Sequence, residues 1–145
     1  MMTKDILSLN NIHLNVELSD KEEAINYAGR ILVDQGYVEP SYIDKMLERE
    51  KLTSTYMGNF VAIPHGVEES KKDVRSSGIS VVTVPNGVDF DGNSVKILIG
   101  IAGKGDEHLE ILSQIAIVLS EMENIEKIIS ASSKEEIIKL FNEVN

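Results

Sequence analysis

A chain of 145 residues is long enough for one domain that buries roughly two-thirds of the surface its unfolded form exposes. The absence of cysteine excludes disulfides, thiolate catalysis and Cys-ligated zinc, and it fits a reducing compartment. Fourteen Lys and Arg against 24 Asp and Glu leave a formal charge of −10, which opposes attachment to nucleic acid or to an anionic membrane surface. The same acidity serves either plain solubility or the steering of a basic protein partner.

In chain order, the amino terminus leads into no signal-like apolar core, and no stretch approaches the roughly 20 apolar residues of a membrane span. A cytoplasmic protein without membrane insertion is therefore expected. No repeat, low-complexity segment or linker divides residues 1–145, which read as a single domain. His13 lies in an early strand-like stretch with no glycine or acidic cluster beside it, which assigns it to structure or surface. Ser19-Asp20-Lys21-Glu22 has the pattern of a capping box before a helix through Ala24, Ile25, Ala28, Ile31 and Leu32 that closes at Gly36. Pro40 opens a second helix with Ile43, Met46 and Leu47 inward and Arg49 near its end.

Asn59 to Ile63, Ser80 to Val84 and Val95 to Ala102 are short, apolar and rich in Val and Ile, as strands covered on both faces are. Asp106 or Glu107 begins an apolar helix through Leu109, Leu112, Ile115, Ala116 and Leu119. A second Ser-x-x-Glu pattern, Ser133 to Glu136, starts the terminal helix. The predicted class is α/β, with a mixed, largely buried sheet sandwiched between helices.

His65 ends an apolar run between Pro64 and Gly66, a setting that stiffens the chain before the imidazole and frees it afterwards. On these residues alone two readings stand: a core histidine satisfied by a backbone carbonyl, or a nucleophile presented at a strand end. His108 falls in the first helical turn after the glycine-rich segment Gly100 to Gly105, where free N–H groups favour an anion, although a helix start also accepts an ordinary polar residue. The two histidines meet across one crevice if both strand ends lie on the same sheet edge. No metal site is expected, since there is no His-Glu-x-x-His pair, and Gly103-Lys104-Gly105 lacks the spacing of a phosphate-binding P-loop. No Gly-x-Ser-x-Gly elbow supports a hydrolase.

Gly36-Tyr37-Val38-Glu39-Pro40, Met46 through Thr53, Thr55-Tyr56-Met57-Gly58, Ala62-Ile63-Pro64-His65-Gly66 and Glu107-His108 occur in the order found in a known family. From about Ile6 to Val144 the chain resembles the EIIA components of the bacterial sugar phosphotransferase system, in the fructose/mannitol superfamily and most closely the mannitol type. That resemblance implies a phosphocarrier in which His65 takes a phosphoryl group through Nε2 from the phosphohistidine of HPr and passes it to the EIIB domain of a mannitol permease. It gives His108 the role of hydrogen-bonding the phosphoryl group and Arg49 that of neutralising its charge, with no cofactor and no magnesium. Asn59 stands where relatives can carry an acidic residue. A regulatory, nitrogen-type or regulator-associated EIIA and a fructose-type EIIA are the alternatives within the same resemblance, and a noncatalytic ligand-binding domain is disfavoured by the joint presence of His65, His108 and Arg49.

Overall fold

Alternation along two central strands organises the molecule. The computed structural model describes residues 6–67 and 72–142. Strands β4 (Gly78–Phe90) and β5 (Asn93–Ala102) pair antiparallel through a two-residue turn at Asp91 and Gly92, whose φ values of 56° and 96° are those a tight hairpin of this hand demands. Val81, Ile97, Ile99 and Ile101 enter one apolar cluster, whereas Val82, Val84 and Leu98 enter another. Successive side chains of a strand point to opposite faces, so both faces of this hairpin are core.

On the first face lie α3 (Glu107–Leu119), α4 (Met122–Ile129) and α5 (Lys134–Asn142), which contribute Ile111, Ile115, Ile125, Ile128, Ile137 and Phe141. On the second lie α1 (Lys21–Asp34) and α2 (Ser41–Leu52), which contribute Ile25, Leu32, Tyr42 and Met46. The helix–sheet–helix sandwich expected from the apolar strands is the architecture found. The sheet is mixed, ordered β1-β4-β5-β3-β2, with β1 (Ile12–His13), β2 (Tyr56–Gly58) and β3 (Val61–Ala62) as its short members. β3 runs parallel to β5, so both deliver their carboxyl ends to one edge.

Several boundaries differ from the sequence reading for physical reasons. The first helix is capped one residue later: the Asp20 carboxylate accepts the Glu23 N–H at 2.8 Å, and Glu23 reaches back to the Ser19 N–H at 2.6 Å. The strand placed at Asn59 to Ile63 shrinks to Val61–Ala62 because Asn59 and Phe60, at φ 51° and 72°, form the turn out of β2. β4 continues past Val84 through Pro85, Asn86 and Gly87, where the register slips between Thr83 and Val88. The helix α4 was not anticipated at all. The box at Ser133 and Glu136 is as read, with the Glu136 carboxylate accepting the Ser132 and Ser133 N–H groups.

Candidate active site at the edge of the sheet

His65 leaves β3 by way of Ile63 and Pro64 and lies alongside β5. The Pro64 carbonyl accepts the Ile101 N–H at 2.9 Å, and His65 itself bridges in parallel to Ile101. From α2, the Tyr42 hydroxyl donates to the Ile101 carbonyl at 2.8 Å and accepts the Gly66 N–H at 2.9 Å, tying the turn after His65 to the end of β5. Burial pushes the Tyr42 hydroxyl up to about 12, against the Gly66 hydrogen bond, so it remains a donor throughout the physiological range.

The ring of His65 is half-buried, and its Nδ1 stands 2.8 Å from the Ile63 carbonyl. A carbonyl only accepts, so Nδ1 carries the proton and, in the neutral ring, Nε2 holds a bare lone pair. Burial is the main force lowering the pKa of His65; the Ile63 hydrogen bond opposes it, the Arg49 cation lowers it further and the Glu50 carboxylate raises it, with a net downward result. The ring is therefore neutral at pH 7. A backbone carbonyl satisfies Nδ1, as in the core reading of His65, and the same contact leaves the proton off Nε2, as a nucleophile would need.

β5 ends at Ala102, and Gly103 begins the turn into α3. A Cβ on Gly103 would run into the backbone of His108, so only glycine lets the strand end and the helix start approach this closely. The Ser77 hydroxyl braces the same turn, donating to Glu107 at 2.7 Å and accepting the Lys104 N–H at 2.9 Å. His108 is thereby carried next to His65, the ring centroids being 5.4 Å apart and the planes inclined at 50°. Arg49, in the last turn of α2, donates from Nη1 to the Thr53 carbonyl at 2.8 Å and lies near enough to His65 to act on its proton affinity.

The three residues singled out from sequence thus fall on one edge of the sheet. His13 does not join them: β4 and β5 separate its strand from β3, and its Nδ1 is 2.6 Å from the Tyr27 hydroxyl. Lys104 is exposed, as a loop charge should be, and Asn59 is an exposed turn residue. Among the described residues no three histidine or acidic side chains converge as metal ligands would.

Sequence reasoning passed over Glu50, which is only 5% exposed. Its carboxylate accepts the Thr55 N–H at 3.0 and 3.2 Å and the Thr55 hydroxyl at 2.5 Å, with the Lys21 ammonium 3.6 Å away. The available signal was its place on the inward stripe of α2, seven residues after Ile43 and four after Met46. Tyr42 was missed too; it shares a stripe with Arg49, seven residues on. A neutral imidazole with one nitrogen saturated and the other bare, beside a second imidazole and a guanidinium, is suited to take up and release an anionic electrophile.

The family model described as phosphoenolpyruvate-dependent sugar phosphotransferase system, EIIA 2, matches residues 5–144. The chain is 63% identical over 145 residues to the mannitol-specific phosphotransferase enzyme IIA component of Geobacillus stearothermophilus, covering 99% of this chain and 100% of that one. Its counterpart in Bacillus subtilis is 57% identical over 141 residues, covering 97% and 99%. Among solved structures, mannitol enzyme IIA in its complex with phosphorylated mannitol enzyme IIB from Escherichia coli superposes with a TM-score of 0.89 at 36% identity, covering 94% of this chain and 97% of that one. With its mixed sheet between two helical layers and its paired histidines at the sheet edge, the chain belongs to the EIIA 2 family of the phosphoenolpyruvate-dependent sugar phosphotransferase system.

Proposed function

We propose that this protein is the mannitol-specific EIIA component of the phosphotransferase system, working in the cytoplasm as a phosphohistidine carrier. Its donor is phospho-HPr and its acceptor the EIIB domain of a membrane mannitol permease. The observation that carries the mechanism is the Nδ1–H of His65 held on the Ile63 carbonyl, which leaves Nε2 to attack. The mannitol assignment and the EIIB partner rest on the full-length relatives and on the related complex from Escherichia coli.

In the forward step the Nε2 lone pair of neutral His65 attacks phosphorus in line as the donor's P–N bond breaks, and the donor imidazole leaves with that bonding pair. The proton on Nδ1 stays in place. It makes the phosphorylated ring a leaving group that departs as neutral imidazole rather than as imidazolate, so the same hydrogen bond serves uptake and release. His108 hydrogen-bonds the phosphoryl oxygens and Arg49 offsets their negative charge, work that a metal performs in many nucleotide enzymes. Exposed Leu52 and Leu109, one near Arg49 and the other next to His108, supply apolar docking surface, and exposed Asp106, Glu107 and Glu110 supply an acidic rim for a basic donor.

Incubation with phosphorylated HPr, location of the phosphoryl group by mass spectrometry and addition of mannitol EIIB or fructose EIIB test this directly. Label on His65, its loss in His65→Ala and faster discharge to mannitol EIIB are expected. Efficient labelling of His65→Ala would reject His65 as acceptor, and equal discharge to both EIIB domains would remove the sugar assignment. Arg49→Gln is expected to slow transfer by about a hundredfold; wild-type rates in both directions would take Arg49 out of the chemistry.

A further inference from the structure

Glu50, which sequence reasoning passed over, is linked to the His65 ring through hydrogen bonds made by two intervening residues, Thr55 and Ile63. Glu50 holds Thr55 by both its N–H and its hydroxyl. The Thr55 carbonyl accepts the Ile63 N–H at 3.0 Å, and the Ile63 carbonyl accepts the His65 Nδ1–H at 2.8 Å. Beyond Ile63 the turn is held where the Pro64 carbonyl accepts the Ile101 N–H at 2.9 Å, but the ladder before it is short. β3 has two residues, β2 has three, and their register slips between Tyr56 and Gly58. A carboxylate this deeply buried is costly unless fully satisfied, and an apolar residue would fill the inward stripe of α2 without that cost. What a carboxylate adds is a pair of strong acceptors for Thr55.

We propose that Glu50 is a positioning residue for phosphoryl transfer: by gripping Thr55 it holds residue Ile63, whose N–H binds the Thr55 carbonyl and whose own carbonyl keeps His65 protonated on Nδ1 and bare on Nε2. Its negative charge, which acts on His65 against the Arg49 cation, is a second influence on the same ring. A ring released from the Ile63 carbonyl exchanges between tautomers, and the form protonated on Nε2 has no lone pair there to attack. The inference rests on His65 being the acceptor.

Long-range ¹H–¹⁵N correlation spectra of the ¹⁵N-labelled protein at pH 8 read the two ring nitrogens without any donor present. Wild type is expected to show a protonated Nδ1 and a bare Nε2. In Glu50→Ala the two shifts should move towards each other as the tautomers mix, and labelling by phospho-HPr should slow by about tenfold or more. Glu50→Gln, which keeps an oxygen for Thr55, should restore the wild-type tautomer and most of the rate. Circular dichroism checks that each variant folds. If Glu50→Ala does not fold, Glu50→Asp decides, since it keeps the charge but withdraws the carboxylate by one methylene and should also mix the tautomers. Unchanged ring shifts in a folded Glu50→Ala, or in Glu50→Asp when it alone folds, overturn the role of Glu50 while leaving the acceptor reading intact. Wild-type protein that accepts no label at His65 overturns the acceptor reading, and the transfer role of Glu50 with it.

Discussion

In the proposed mechanism the His65 ring attacks while uncharged, yet it sits among groups that pull its proton affinity both ways. Burial and Arg49 push its pKa below the ordinary 6.5, and together they outweigh the Ile63 hydrogen bond and the Glu50 carboxylate. Phosphoryl acceptance is therefore expected to be flat around neutrality and to fall only as pH passes downward through a value below 6.5. Arg49→Gln removes one of the lowering influences, so the acid limb of its profile should move to higher pH even as the plateau drops. Pre-steady-state labelling by phospho-HPr between pH 5 and pH 8 measures both; an acid limb unmoved by the substitution would show that the guanidinium does not act on the ring.

Among the elements, α1 gives the cleanest separation of two neighbouring residues. Asp20→Ala should cost about 1 kcal/mol of unfolding free energy because it strips the cap from Glu23 N–H, whereas Ser19→Ala should cost much less. Urea denaturation compares them, and equal losses would return the cap to Ser19. The residue types alone left that one-step ambiguity open, since both Ser19 and Asp20 have a glutamate three positions on. Other elements show where periodicity fails. α4 offers Ile125, Ile128 and Ile129 within eight residues, too short a run to fix a helical period, and its packing against α3 and α5 settles the matter. Pro85-Asn86-Gly87 reads as a stop, but β4 passes through it at an irregularity in the ladder, where a missing N–H is tolerated. His65 and His108 were singled out because glycine, proline and a helix start mark their local settings, and Arg49 because the family resemblance pointed to it. Tyr42, Glu50 and Thr55 were not, because their importance comes from contacts reaching Gly66, Ile101 and, through Ile63, the His65 ring.

At the scale of the whole molecule, two histidines with lowered proton affinity make the fold sensitive to mild acid. His65 is lowered first by burial, and His13 likewise, helped by Lys134 and opposed by Asp34. Below about 6.5 the unfolded chain takes up protons at these rings that the folded chain still refuses, so stability is full above that pH and declines as pH falls towards the folded values. The melting temperature should thus drop between pH 7.5 and pH 5.5, and the combined variant His13→Gln with His65→Gln should flatten the dependence. An equal drop in that variant would place the sensitivity elsewhere. The hairpin of β4 and β5, the shared floor of both apolar clusters, also sets a timetable. Its strands are joined by two residues, whereas Ile12 must find Val81 across nearly half of the chain, so the loop-closure penalty is small for one pairing and large for the other. Amide protection during refolding should appear in the hairpin before it appears at Ile12, which means a nascent chain gains its central scaffold only once residue 102 has emerged, and the edge that brings His65 and His108 together only afterwards.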